Sequence, residues 1–289
     1  MDQAGRPLMG VALVSLAVFL FALSDVVGKH LMTLYPVPFV QAGRYLVNLS
    51  LLLVIMAPRH GAGLWQTRRT GLVLLRGGIL AMASLTMGHA LRLMPVGEAV
   101  TISYLAPFLL MLASGPVLGE RVPGAAWVGA GVAFCGVLLI LRPGSGLDPV
   151  GVIWALANAG LATGYMLTTR MLTRSETTMA MLFHVALVGS VIFVGMALAD
   201  WPAVLPGAGD AGLILLLGCL ATGGHFLFTA AFREAPAALL APINYVHLVW
   251  AGLLGWLVFD HLPDALSIAG MALVLAAGMS VALRAARQS

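Results

Sequence analysis

Charge is what this chain has least of. Of its 289 residues only 9% are charged and 61% are hydrophobic, against roughly 25% charged in an ordinary soluble domain. A water-soluble fold of this size would be left with large exposed apolar patches, so the composition points to a chain solvated by lipid. Lysine is almost missing: Lys29 stands alone, and no basic run is longer than Arg68-Arg69. A net charge of +4 spread this thinly gives nucleic acid nothing to bind, and the excess reads as loop charge that orients membrane spans. The two cysteines, Cys135 and Cys219, sit far apart inside apolar segments. Neither has disulfide or metal-ligand spacing, and both read as small packing residues. There is no His-Glu-x-x-His run, no pair of mid-span aspartates, no acidic cluster for magnesium, and no glycine loop followed by Lys-Ser/Thr. An intramembrane enzyme and a structural membrane subunit therefore remain only as alternatives, and no cofactor or metal is expected.

Long apolar runs are what the chain has instead. A helix needs about 20 mainly apolar residues to cross the hydrocarbon core, and ten segments qualify: 8–28, 38–57, 71–91, 97–117, 124–141, 150–170, 179–199, 211–232, 237–258 and 265–284. Prolines and short polar joints separate them, for example Pro36, Pro58, Pro95, Pro123, Pro149, Pro206, Pro236 and Pro263. The apolar run Leu8 to Leu23 exceeds a usual signal h-region and reads as an uncleaved first span. With the N-terminus inside, ten basic residues fall on the inner side and three, Lys29, Arg92 and Arg142, on the outer side. This bias predicts a multi-pass protein of a bacterial-type inner membrane with both termini cytoplasmic.

The chain also resembles itself weakly at a shift of about 141 residues. Gly10-Val11 falls on Gly151-Val152, Lys29 on Arg170, Pro95 on Pro236 and Tyr104 on Tyr245. After one deletion, Glu120-Arg121-Val122-Pro123 meets Asp260-His261-Leu262-Pro263. The pattern predicts two halves, residues 1–145 and 146–289. Five helices per half is an odd number, so the second half must enter the membrane upside down. The expected fold class is an all-α membrane protein of ten transmembrane helices in two inverted five-helix repeats. Inverted repeats are an architecture of secondary transporters, in which the halves exchange conformations to open to either side.

Leu93-Met94-Pro95-Val96-Gly97-Glu98-Ala99, followed by Leu105-Ala106-Pro107-Phe108 and Leu118-Gly119-Glu120-Arg121, resembles the first half-repeat of the EamA family in the drug/metabolite transporter superfamily. Trp127, Gly129, Gly131 and Gly136 continue the pattern, and Arg44, Gly151 and Trp154-Ala155-Leu156 also match. The resemblance covers essentially the whole chain. It implies a carrier that moves small metabolites by alternating access, often outward, with amino acids among the family's substrates.

Polar side chains inside spans are costly toward lipid and face the bundle or a wet cavity. Reckoned from the span limits, Asp25, Arg44, His89 and Glu98 lie within about two turns of the outer face. Arg76 and His184 lie near the inner face, where a structural role is expected. Asn158, His225, Asn244, Tyr245 and His247 lie near mid-depth. On a continuous ninth helix Asn244, His247 and Ala251 would share one face, with Tyr245 pointing elsewhere. Pro242 and Pro107 each disrupt a helix near this level. The expected substrate-binding set is Tyr104, Asn244 and His247, extended by His89, Asn158, His225, Tyr245 and Trp250. No carboxylate is expected at the centre, which favours zwitterionic or neutral metabolites over bare cations. Protons would have to be carried by His225 or His247, and transport down the substrate gradient is the simpler expectation. Glu120 and Asp260 are expected to cap equivalent helix starts on opposite faces. The protein is expected as a monomer or homodimer whose other partner is the bilayer.

Overall fold

The computed structural model describes residues 7–118, 124–142, 144–172, 175–235 and 237–288. Twelve α-helices run in order: α1 Pro7–Leu34, α2 Val37–His60, α3 Thr70–Leu93, α4 Val96–Ser103, α5 Ala106–Leu118, α6 Gly124–Leu141, α7 Pro149–Leu172, α8 Thr178–Ala199, α9 Ala208–Glu234, α10 Ala237–Asn244, α11 Val246–Phe259 and α12 Ala265–Gln288. A short 3-10 turn, Gly61–Leu64, follows α2. No strand occurs among the described residues. In hydrocarbon each backbone polar group needs an internal partner, and a helix supplies it within one segment. Among the described residues eight segments are long and apolar enough to cross a membrane, with Trp127–Leu141 and Val246–Phe259 as shorter apolar helices. Ten crossings fit, the fourth made of α4 and α5 and the ninth of α10 and α11. The protein is a multi-pass membrane protein.

Helix starts follow from local chemistry. Pro36 and Pro95 stand at the N-caps of α2 and α4, where a missing N–H costs nothing. The Thr177 hydroxyl accepts the Ala180 N–H and starts α8. Asp148 accepts the N–H groups of Val150 and Gly151 at the head of α7. The expectation for Asp260 fails. Asp260 ends α11 in the left-handed conformation, φ 53°, and its N–H bonds the Trp256 carbonyl. The acid that caps α12 is Asp264, whose carboxylate accepts the Ser267 N–H at 2.8 Å. Capping needs an oxygen within reach of the first free N–H groups, and Asp260 lies four positions before Asp264. Glu120 lies outside the described residues.

Helix pairing joins early helices to late ones. α1 packs along α9, α3 along α7, α2 against α8 and α6 against α12. Small residues allow the closest approaches, as packing between membrane helices favours. A Cβ on Gly136 of α6 would lie 2.7 Å from the Gly270 carbonyl of α12, and one on Gly97 of α4 would lie 3.1 Å from the Gly252 Cα of α11. Gly129 and Gly224 are likewise filled against Val281 and Phe21, whereas Gly78 and Gly131 face open space. The largest core cluster joins α4, α5 and α11 to α6, α7 and α12. Both cysteines are free and exposed.

Candidate functional site

The fourth and ninth crossings break at tyrosines. In the fourth, Pro107 has no N–H to offer the Ser103 carbonyl, the helix closes on Tyr104, and α5 restarts at Ala106. In the ninth, α10 ends at Asn244 and Tyr245 is the N-cap of α11. The Leu248 N–H turns to the Tyr245 carbonyl at 3.1 Å, which frees the Asn244 carbonyl. Tyr104 fills that vacancy: its hydroxyl donates to the Asn244 oxygen at 2.9 Å and lies 3.2 Å from His247 Nδ1. The break at Tyr245 therefore joins the residues differently from the shared face expected of Asn244 and His247. It is the carbonyl of Asn244 that meets Tyr104.

The other ring nitrogen of His247 brings in a residue placed too shallow by sequence. His247 Nε2 lies 3.1 Å from Asp25 Oδ2, with both side chains largely buried. The approach is off the line of a good N–H bond, so Nε2 has an ion-pair neighbour without a well-directed hydrogen bond. Asp25 was placed near the outer end of a span closing at residue 28, whereas α1 continues to Leu34. Six more residues add about 9 Å of helix beyond it. A carboxylate thus belongs to the central cluster. An ionisable group inside a span was the available signal; the misjudged helix end hid it.

The remaining expected residues divide. Tyr245 touches the cluster, 5.3 Å from the Tyr104 ring, but is itself buried against Gly278 of α12, where any Cβ would overlap its ring. His225 of α9 reaches the cluster through Phe21, whose ring lies 5.0 Å from His225 and 6.4 Å from His247. Asn158 donates to the Ala83 carbonyl at 2.7 Å and ties α7 to α3. His89 stacks on Trp154 at 4.8 Å in the same helix pair. Trp250 packs edge-on to Phe19 at 5.1 Å within an apolar cluster of α1, α9, α10 and α11. These last three make no hydrogen bond or ring contact with Tyr104 or His247 among the described residues. Arg76 is held by Thr169, Tyr165 and the Met181 carbonyl, and His184 meets the Ala180 carbonyl, as structural roles require.

Two cavities flank the cluster at opposite ends of the bundle. One, of about 320 Å³, is walled by α2, α8 and α9, with Arg44, Asn48, Arg59 and His225 among its polar lining and Met56 and Met179 on its apolar wall. The other, of about 380 Å³, is lined by Lys29, Glu98 and His261 with glycines of α4 and α11. Phe21, Asp25 and Lys29 stand one turn apart on α1, so one helix face runs from Phe21, beside His225 of the first cavity, past the cluster to Lys29 of the second. At the second cavity's end, Arg142 pairs with Asp264. The Ser267 N–H and the Arg142 guanidinium hold the Asp264 carboxyl below the usual carboxylate range. Among the described residues no group of three His, Cys, Asp or Glu side chains could hold a metal.

Known proteins resemble this chain in sequence and in fold. Residues 8–142 and 149–283 each match the EamA-like transporter family. A pseudopaline exporter of Pseudomonas aeruginosa is 28% identical over 272 residues, 93% of this chain and 94% of its own. An S-adenosylmethionine uptake transporter of Rickettsia prowazekii is 23% identical, covering 97% and 94%. A riboflavin transporter of Rhizobium johnstonii is 28% identical, covering 96% and 92%. One solved crystal structure superposes with a TM-score of 0.67 over 98% of both chains at 22% identity, a likeness of fold alone.

Proposed function

This chain belongs to the EamA-like transporter family, and from that premise we propose that it is an inner-membrane carrier exporting amino acids or related zwitterions by alternating access. That it transports a small metabolite rests on the family and on relatives named for such transport. The observation that carries the finer reading is the meeting of the two broken crossings. Tyr104 of one break donates to the backbone that the other break has freed, and Asp25 and His247 face each other beside it. Broken helices near mid-membrane offer polar groups to a ligand at the junction of a carrier's halves. The cluster supplies a carboxylate, an imidazole, a phenol and a carbonyl, which together suit an ammonium and a carboxylate on one ligand. Asp25 strengthens the case for an ammonium group.

Two halves, residues 1–145 and 146–289, inverted with respect to each other, account for the matching breaks and for the reciprocal packing of α1 on α9 and α7 on α3. On this reading both termini are cytoplasmic, the cavity beside Arg59 opens inward and the cavity beside Lys29 opens outward. The protein acts as a carrier and not as an enzyme. Purified protein in liposomes, preloaded with unlabelled leucine, should accumulate external labelled leucine by counterflow. No counterflow with leucine or with a wider panel of amino acids removes the proposed substrate class. Reporter fusions test the orientation: a C-terminal fusion active only outside would refute it.

A further inference from the structure

The cavity at the Lys29 end holds charges that the central cluster does not use. Glu98, in the first turn of α4, is 2% exposed. One of its oxygens lies 3.3 Å from His261 Nε2 and the other has no hydrogen-bond partner. The His261 side chain is 47% exposed, so the ring covers Glu98 from the solvent side. Lys29 donates to the carbonyls of Leu91 and Met94, each at 2.7 Å, and its ammonium lies 5.4 Å from the Phe259 ring centre. An ammonium has three donors, so one remains. Among the described residues Lys29 and Glu98 do not pair directly, and both line the same cavity.

A buried carboxylate left partly unsatisfied is costly, and a ligand that satisfies it gains accordingly. Glu98 calls for a cationic donor and Lys29 for an anionic acceptor. A ligand with a single charge answers only one of them, whereas a dipolar head answers both. The rest of the wall is apolar or bare backbone: Leu93, Met94, Val96 and Phe259 on the sides, Gly97, Gly252 and Gly255 at the α4–α11 contact. Those glycines bring α4 and α11 close together on one side, and the cavity beside them measures about 380 Å³.

We propose that this cavity is a second binding subsite, which takes the ammonium–carboxylate head of an amino acid with an apolar side chain. Glu98 receives the ammonium in place of His261, Lys29 donates to the carboxylate, and Phe259 and Met94 cover the side chain. Its role as a way-station on the outer side rests on the carrier reading above, but its occupancy can be measured separately.

The test uses the full chain in detergent, with Cys135→Ser, Cys219→Ser and Leu93→Cys, since Leu93 is 40% exposed and lines the cavity. The rate of maleimide labelling at that position is followed against leucine, N-acetylleucine, which lacks the ammonium, and leucinamide, which lacks the carboxylate. Leucine should slow labelling, and each analogue should need roughly ten- to hundredfold more for the same protection, the cost of one lost charged hydrogen bond. Glu98→Gln should raise the leucine requirement by the same factor and bring N-acetylleucine level with leucine. Equal protection by leucine and N-acetylleucine, no protection by leucine, or an unchanged leucine requirement in a folded Glu98→Gln chain overturns the proposal. If Glu98→Gln does not fold, the three-ligand series on the parental side chain decides. Protection without counterflow in liposomes would remove the carrier reading and leave the subsite; counterflow without protection would do the reverse.

Discussion

Tyr104 and Tyr245 stand in matching places, each at a break in a membrane crossing, and they are used differently. Tyr104 turns toward the other break, where its hydroxyl bonds the Asn244 carbonyl and approaches His247. Tyr245 presses its ring into α12 at Gly278. The neighbouring helices account for the divergence. At the corresponding place on α6, offset by about 140 residues, stand Val137 and Leu138, whose side chains provide no slot for a ring. The sequence sets a tyrosine at each break, and Gly278 lets one of them pack into α12 while the other's hydroxyl meets the opposite break.

The comparison can be broken most directly at His247. His247→Ala removes a neighbour of both Asp25 and Tyr104 and, on the proposed function, a hydrogen bond to the charged substrate, whose loss costs about 1.5–3 kcal/mol, roughly ten- to hundredfold. Liposome counterflow, normalised to inserted protein, should fall by that range, and Asp25→Asn should fall comparably. Parental rates in both variants would place the substrate elsewhere.

Gly278→Ala tests the anchor. A methyl group there overlaps the Tyr245 ring, and overpacking of this kind costs about 1–3 kcal/mol. The melting temperature in detergent should drop, while Gly131→Ala, which faces open space, should leave it nearly unchanged. An undisturbed Gly278→Ala protein would mean that Tyr245 is not held as described.

Removing each hydroxyl sharpens the contrast. Tyr104→Phe loses one neutral hydrogen bond, about 0.5–1.5 kcal/mol, and should slow counterflow severalfold to about tenfold. Tyr245→Phe keeps the packed ring and should stay within about twofold. Equal losses in both would erase the distinction between the two breaks.

The smallest effect concerns the α6–α12 pair that carries the Tyr245 slot. Asp264 has its folded-state pKa lowered by the Ser267 N–H and Arg142. Its stabilisation is therefore present above the ordinary carboxylate pKa and lost as pH falls through the lowered value. The melting temperature should decline slightly more on acidification in the parental protein than in Asp264→Asn. Identical pH profiles would show that the cap contributes nothing.

Much of this was legible in sequence because lipid imposes strong constraints. Twenty-residue apolar runs, prolines at joints and scarce charge placed the ten crossings, and the paired tyrosines and the polarity of His247 marked the level of the cluster. What failed was depth and direction. Asp25 was placed near the surface because no breaker marks the end of α1 before Pro36, so its helix was taken as ending six residues short of Leu34. Asn244 was assigned a side-chain role because three-residue spacing puts it on one face with His247, whereas the helix breaks at Tyr245 and the Asn244 carbonyl meets Tyr104.

The sequence by itself determined the class, the crossings and the family pattern, since each follows from composition and from spacing along one chain. Only the tertiary structure decided that Asp25 meets His247, that a carbonyl of one broken crossing is satisfied by the other, and that Glu98 is buried with an oxygen unused. Those facts depend on how α1, α4 and α11 cross. Helical periodicity says which residues share a face, but the partner of that face is chosen by packing between segments more than a hundred residues apart.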